Sequence, residues 1–162
     1  METDAIVTQI LETWRRHNEI LLYLLDAIPS AGLVAVPAGS RGRDVARQFE
    51  HLRDMRVVWL HYHRTGVRLK MGRRADRRPT RAQLRKALRD SGREVDLFLE
   101  QALRGDARVR MFGGRPVQWL GYLIAHESHH RGQIMLALKQ SGLRLPDEVA
   151  IEGLWGRWRP RA

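Results

Sequence analysis

Apolar residues recur at spacings of three and four in four separate stretches of the sequence, and this periodicity constrains the fold most strongly. The stretches cover about residues 4–27, 44–63, 80–104 and 116–142. A period near 3.6 residues is typical of an amphipathic α-helix, and no stretch shows the convincing period-two alternation of a half-buried strand. The pattern therefore predicts an all-α protein, a four-helix bundle. At 162 residues we expect a single domain, 1–162.

Residues that stop or turn a helix separate these stretches. Pro29 ends the first predicted helix, and Gly66, Gly105 and Gly142 follow the other three. The linkers are long enough for a crossover, so a simple up-down order of helices is not required. After Pro146 the tail contains two tryptophans, and we expect it to pack across the bundle or against a second subunit.

Composition narrows the functional classes. The formal net charge is +11, with 26 Arg and only 3 Lys, and such a field attracts nucleic acid, acidic membrane surfaces or small carboxylates. Coding bias towards arginine explains the same numbers without a partner, and we favour that interpretation.

No apolar run is long enough for a membrane span, and the N-terminus lacks the pattern of a secretory signal. Because there is no cysteine, the chain has no disulfide, no thiolate metal ligand and no nucleophilic thiol of its own, and a cytoplasmic location is the default expectation.

Three of the seven histidines lie within the short segment AHESHHRGQI, 125–134. His126 and His130 are one helical turn apart, so they point in the same direction, along the apolar stripe of the fourth helix. Such a pair can hold a metal ion when a facing helix supplies a third ligand. His51, at the shoulder of the second helix's apolar face, is the candidate for this third ligand. Hydrogen-bonded core histidines remain the alternative interpretation.

The neighbouring polar residues are predicted to support this site or to face solvent. We expect His129 to form a hydrogen bond rather than to bind metal, and Gln133 to orient a ligand imidazole. Glu127 is predicted to be a solvated residue paired with Arg131. Three histidines are assigned to the surface or to a solvated helix end: His17, His61 and His63. Three arginines are candidates for binding a substrate carboxylate: Arg53, Arg56 and Arg131.

The segment HESHHRGQI before an apolar run, the earlier His51-Leu52 before a run ending in Trp-Leu, and the late segment GLRLPD together resemble the DinB-like (YfiT-like) superfamily. The resemblance implies an up-down-down-up bundle with a long crossover, often a homodimer. It also implies a divalent metal ion held by His51, His126 and His130, with His129 outside the ligand set. Better-understood branches of that superfamily are thiol S-transferases and a thiol-dependent maleylpyruvate isomerase.

Three neutral imidazoles leave a divalent ion its full charge and an open coordination position, which suits activation of either a thiol or a water molecule. The resemblance favours an enzyme that uses an anionic low-molecular-weight thiol towards a small-molecule substrate. Zn, Ni, Fe and Cu all suit an imidazole site, so the ion's identity stays open.

Two other classes of function remain. A non-catalytic, stress-related metal-binding protein would need the same three histidines. The basic segment 64–86, which contains the single acidic residue Asp76, could bind nucleic acid through phosphates. This second alternative is disfavoured because the segment has no aromatic residue on which a base could stack.

Overall fold

A computed structural model of the protein describes residues 2–72 and 76–159. Its four long helices are α1 (Glu2–Ala27), α2 (Val45–Thr65), α3 (Arg81–Arg104) and α4 (Pro116–Gln140). The remaining elements of the described chain are short helical turns, and no strand occurs within it. The all-α bundle predicted from the periodicity is therefore confirmed.

Local chemistry sets the helix ends close to the predicted positions. The Asp44 carboxylate caps α2 by accepting a hydrogen bond from the Arg47 amide (2.8 Å). Thr80 and Gln83 form a reciprocal capping box at the start of α3. The left-handed conformation of Gly66, with φ of 77°, ends α2, because this conformation costs glycine little.

Contacts between helix ends fix the directions of the first three helices. Asp4, at the start of α1, forms an ion pair with Arg104 at the end of α3 (3.0 Å), so these two helices are antiparallel. Asp44, at the start of α2, forms an ion pair with Arg78 just before α3, so α2 and α3 are parallel.

The fourth helix runs antiparallel to α2. Gln48, near the start of α2, contacts His130 in the second half of α4. At the other end, His63 packs edge-on against Trp119, near the start of α4 (ring centroids 4.8 Å apart). The order is therefore up-down-down-up, with the long crossover between α2 and α3, as the family resemblance implied.

Most of the apolar residues that recur with helical periodicity are buried in the core. Ile6 of α1 departs from this pattern and is 55% exposed. The C-terminal tail packs across the bundle, which was one of its two predicted placements: Leu154 is buried, and Trp158 lies beside His17 of α1 (ring centroids 6.1 Å apart). None of the described helices is both long and apolar enough to cross a membrane.

Candidate metal centre

The structure brings together the three histidines that the sequence singled out. His51 of α2 faces His126 and His130 of α4, and each offers a ring nitrogen within 4.8 Å of the other two. The ring centroids of His51 lie 5.4 Å from His126 and 4.8 Å from His130. His130 is buried, and the other two are partly buried. The cluster therefore lies at the edge of the core, where α2 and α4 meet.

Neighbouring side chains hold two of these rings in place. The ring of Tyr122, one turn before His126, stacks on the His126 ring with 16° between the planes. His130 donates from Nδ1 to the Gln48 side-chain carbonyl (3.2 Å). A histidine that donates from Nδ1 keeps its Nε2 lone pair available for a metal ion, and such partners commonly fix the ligating tautomer.

The donor set fits a divalent ion. A tetrahedral zinc ion with bonds of 2.0–2.1 Å would place its ligand nitrogens about 3.4 Å apart. The three nitrogens lie within 4.8 Å of one another, so they would need to approach by at most about 1.4 Å. The buried Nδ1 of His126 has no hydrogen-bond partner in the described part of the chain. A buried polar atom of this kind is costly, and a bond to a metal ion would satisfy it.

Burial keeps the α4 pair neutral at physiological pH. It lowers the pKa of His130 to about 4, and the nearby His126, His129 and Arg43 reinforce this shift. Burial likewise lowers the pKa of His126, although the adjacent Glu127 opposes the change. Neutral imidazoles are the form that binds a metal ion, so these two residues need not lose a proton first at pH 7.

The two predicted supporting residues lie beside the triad. Gln133 donates to Nε2 of His129 (2.8 Å), and the His129 ring contacts His130 edge-on (centroids 5.4 Å apart). His129 is exposed and is not part of the three-nitrogen cluster. Gln48, which sequence reasoning missed, is the residue whose hydrogen bond to His130 orients a member of the triad.

A cleft of about 390 Å³ opens beside His130. Its wall combines residues from the linker before α2 with residues of α2 and α4: Pro37, Ser40, Gly42, Arg43, Gln48, His130, Gln133 and Leu136. Arg43 is exposed, and none of the carboxylates in residues 4–72 and 76–159 forms an ion pair with it. His130 therefore lines a cleft that carries the positive charge of Arg43.

The three arginines predicted to bind a substrate carboxylate do not line this cleft. Arg56 is completely buried and forms a two-pronged ion pair with Glu127 (2.6 and 2.7 Å). Arg53 forms an ion pair with Asp54, while Arg131 lies over the ring of Trp155 (5.4 Å). The arginine that lines this cleft is Arg43.

The prediction that Glu127 is solvated and paired with Arg131 is wrong. Glu127 is buried and accepts hydrogen bonds from Arg56 and from Nε2 of His17 (2.8 Å). Burial alone would raise the pKa of Glu127, but the charge and hydrogen bonds of Arg56, assisted by His17, outweigh this effect and lower it to about 2. The predicted surface position of His17 is also wrong, since His17 is buried.

His61 and His63 were both predicted to be solvated at the end of the second helix. His61 is partly exposed, but the prediction for His63 is wrong. His63 is buried between the rings of Trp59 and Phe98, and its Nδ1 accepts from the Arg110 amide (3.3 Å). Burial, together with the charge of Arg110, lowers the pKa of His63 to about 4.

Several arginines of the basic segment 64–86 make contacts within the protein. Arg78 pairs with Asp44, and Arg81 donates to the carbonyls of Leu25 and Ile28 at the end of α1. Residues 73–75, where the segment carries two further arginines, lie outside the described residues. The segment therefore anchors the start of α3 to α1 and α2.

Comparison with known proteins agrees with the motif. The model of the DinB family matches residues 1–148, a span that includes all of α1 to α4 and the three clustered histidines. No curated protein shows significant similarity to the chain. Because the family match covers most of the sequence, the chain belongs to the DinB family.

Proposed function

We propose that the protein binds one divalent metal ion through His51, His126 and His130, and that it is an enzyme acting through a low-molecular-weight thiol on a small electrophilic substrate. The observation that carries this proposal is the meeting of the three ring nitrogens beside a cleft that one of the three residues, His130, lines. A site that opens to a cleft suits catalysis, whereas a closed four-ligand site suits a structural metal.

The chemistry of the residues supports the metal-binding part. The three donors are imidazoles, and burial holds the α4 pair neutral. Among the described residues, the buried Nδ1 of His126 has no hydrogen-bond partner. An ion held by three neutral ligands supplies Lewis-acid chemistry, which lowers the pKa of a thiol or water molecule in its open position.

The chain's own residues support the choice of an anionic thiol. The sequence has no cysteine, so the thiol must arrive with a second molecule. Arg43 offers an exposed guanidinium at the cleft that His130 lines, and this group matches the geometry of a carboxylate. Gln48 holds the His130 ring, and Ser40 and Gln133 add polar groups to the same wall.

The experiment is a turnover assay of the protein loaded separately with Zn, Ni and Fe. Mercaptosuccinate, as an anionic thiol, and 2-mercaptoethanol, as a neutral one, are each combined with a panel of small electrophiles. We expect metal-dependent consumption of the thiol that is lost in His51→Ala. Metal binding without turnover of any pair would refute the enzymatic part and support the non-catalytic alternative.

The charged cleft gives a second, internal test. Arg43→Gln is expected to raise the KM for mercaptosuccinate about two- to fivefold, as loss of a solvent-exposed ion pair does, with little change for 2-mercaptoethanol. Arg41→Gln is the matched control, because Arg41 is exposed nearby but does not line the cleft. Equal effects of both variants on both thiols would contradict a role for Arg43 in binding an anion.

A further inference from the structure

A buried polar network passes through the centre of the bundle and joins all four helices. Arg56 of α2 forms its two-pronged ion pair with Glu127 of α4. His17 of α1 donates to the same carboxylate. Arg56 also donates to Asn18 of α1 (2.8 Å) and to the Leu88 carbonyl of α3 (2.9 Å). The guanidinium further lies 4.8 Å from the ring centre of Trp14.

Stability alone is a poor explanation for this network. Arg56 and Glu127 are 0% and 1% exposed, and taking two charges out of water is expensive. A well-packed apolar pair of similar volume is often as stable as a buried ion pair or more stable. The best-attested advantage of buried ionic groups is that they select one register or orientation of the elements that carry them.

The ion pair between Arg56 and Glu127 lies on the same two helices as the histidine triad. Arg56 lies on α2 five residues after His51, about 7.5 Å along the helix, and Glu127 directly follows His126 on α4. On the other side of His51, Gln48 bonds to His130. Two polar links therefore join α2 to α4 next to the triad, and along α2 they lie on either side of His51.

Metal binding needs the accuracy that such links provide. A side chain on a helix ends about 5 Å from the helix axis, so a 20° rotation of α4 would move a ring nitrogen by about 2 Å. Bond lengths in a metal site are held to within about 0.2 Å. The forked pairing between a guanidinium and a carboxylate restricts this rotation, because both of its hydrogen bonds depend on orientation.

We propose that Arg56, Glu127 and His17 are positioning residues that set the rotation of α4 against α2 and so hold His126 and His130 at ligand distance from His51. This inference rests on the proposed metal site. Through its contacts with α1 and α3, the ion pair couples the positions of these two helices to the interface between α2 and α4. Neither Arg56 nor Glu127 lines the cleft.

The test measures Zn affinity by competition with a chromophoric chelator, and the visible spectrum of the Co-loaded protein. The variants are Glu127→Gln and the double variant Arg56→Met/Glu127→Leu, which removes both charges together and so avoids an unpaired buried ion. Both are expected to bind Zn about 10–100-fold more weakly, as happens when a residue that supports metal ligands is lost, and to show an altered Co spectrum.

Leu99→Ala is the matched control for stability. Leu99 is fully buried on α3, which carries no member of the triad, so this variant loses stability but keeps the wild-type Zn affinity and Co spectrum. If Glu127→Gln does not fold, the double variant alone decides. Wild-type affinity in the folded double variant would overturn the positioning role, as would an equal loss of affinity in Leu99→Ala. A wild-type protein that binds no metal would instead refute the proposed function, and with it this inference.

Discussion

Replacing Glu127 by alanine tests the buried network through the stability of the metal-free protein. The substitution leaves the Arg56 guanidinium, which is 0% exposed, without its counter-ion, and His17 without its acceptor. Breaking a buried ion pair on one side typically costs about 3–5 kcal/mol. The pKa of Glu127 gives a similar magnitude, because a change from 4.5 to about 2 corresponds to about 3 kcal/mol.

Urea and thermal unfolding of the metal-free variant measure this cost. For a protein of this size each kcal/mol lowers Tm by roughly 2–4 °C, so a decrease of about 10 °C is expected. The pKa of Glu127 is lower in the folded protein than in the unfolded chain. The stability that its carboxylate contributes is therefore complete above about pH 4.5 and is lost as the pH falls towards 2. The difference between the wild type and Glu127→Ala should therefore shrink with acid.

Glu94→Ala is the matched control. Glu94 pairs with Arg64 at a similar distance (2.9 Å), but the two side chains are 50% and 48% exposed, so the cost should stay below about 1 kcal/mol. A loss of less than 1 kcal/mol in Glu127→Ala, equal to that of Glu94→Ala, would refute the reasoning.

Three further predictions concern packing, pH and ligand orientation. Gly92→Ala places a Cβ within 2.6–2.7 Å of the Asn18 side chain and should destabilise the protein by about 1–3 kcal/mol in urea unfolding. Gly121→Ala, whose Cβ meets no atom within 4 Å, should not destabilise it; equal effects would contradict the contact. Burial lowers the pKa of His63 to about 4, so the unfolded chain binds more protons between pH 6.5 and 4. The metal-free protein should lose stability as pH falls through this window, by at most about 1.4 kcal/mol per pH unit from this residue, and His63→Phe should flatten the slope; an unchanged slope would contradict it. Gln48→Leu should weaken Zn binding about 10-fold or more in chelator competition, and unchanged affinity would exclude its orienting role.

The helices could be predicted because their signals are local. Apolar periodicity marks each helix, and Pro29, Gly66 and Gly105 mark where the helices stop. The histidine pair was equally local, since residues four apart on a helix must share a face. His51 could be proposed as a third ligand from its position at the shoulder of the apolar face of α2, and the family resemblance then favoured the same residue.

The buried polar residues were missed because a search for apolar residues does not count them. The most buried positions of α4 include Leu123, Glu127, His130 and Ile134, spaced four, three and four apart. Glu127 thus lies on the stripe itself, and His126 lies at its edge. The spacing thus indicated a core position for Glu127, but its charged side chain led to the prediction that it is solvated.

The same pattern occurs on α2, where Arg56 lies four residues from both Leu52 and Leu60. A charged residue at the centre of an apolar stripe indicates a buried partner. The partner itself, Glu127, is 71 residues away, and no local signal could identify it. Gln48 reaches His130 through an equally long-range contact, and Arg43 lines the same cleft as His130 although the two are far apart in sequence.

The most direct test of the account is the metal content of the untagged protein, measured by elemental analysis beside three variants. We predict about one divalent ion per chain in the wild type and in His129→Ala, and loss of the ion in His51→Ala and in His126→Ala/His130→Ala. A wild-type protein that holds no ion after loading with Zn, Ni and Fe would contradict the account, as would a His51→Ala variant that keeps its metal.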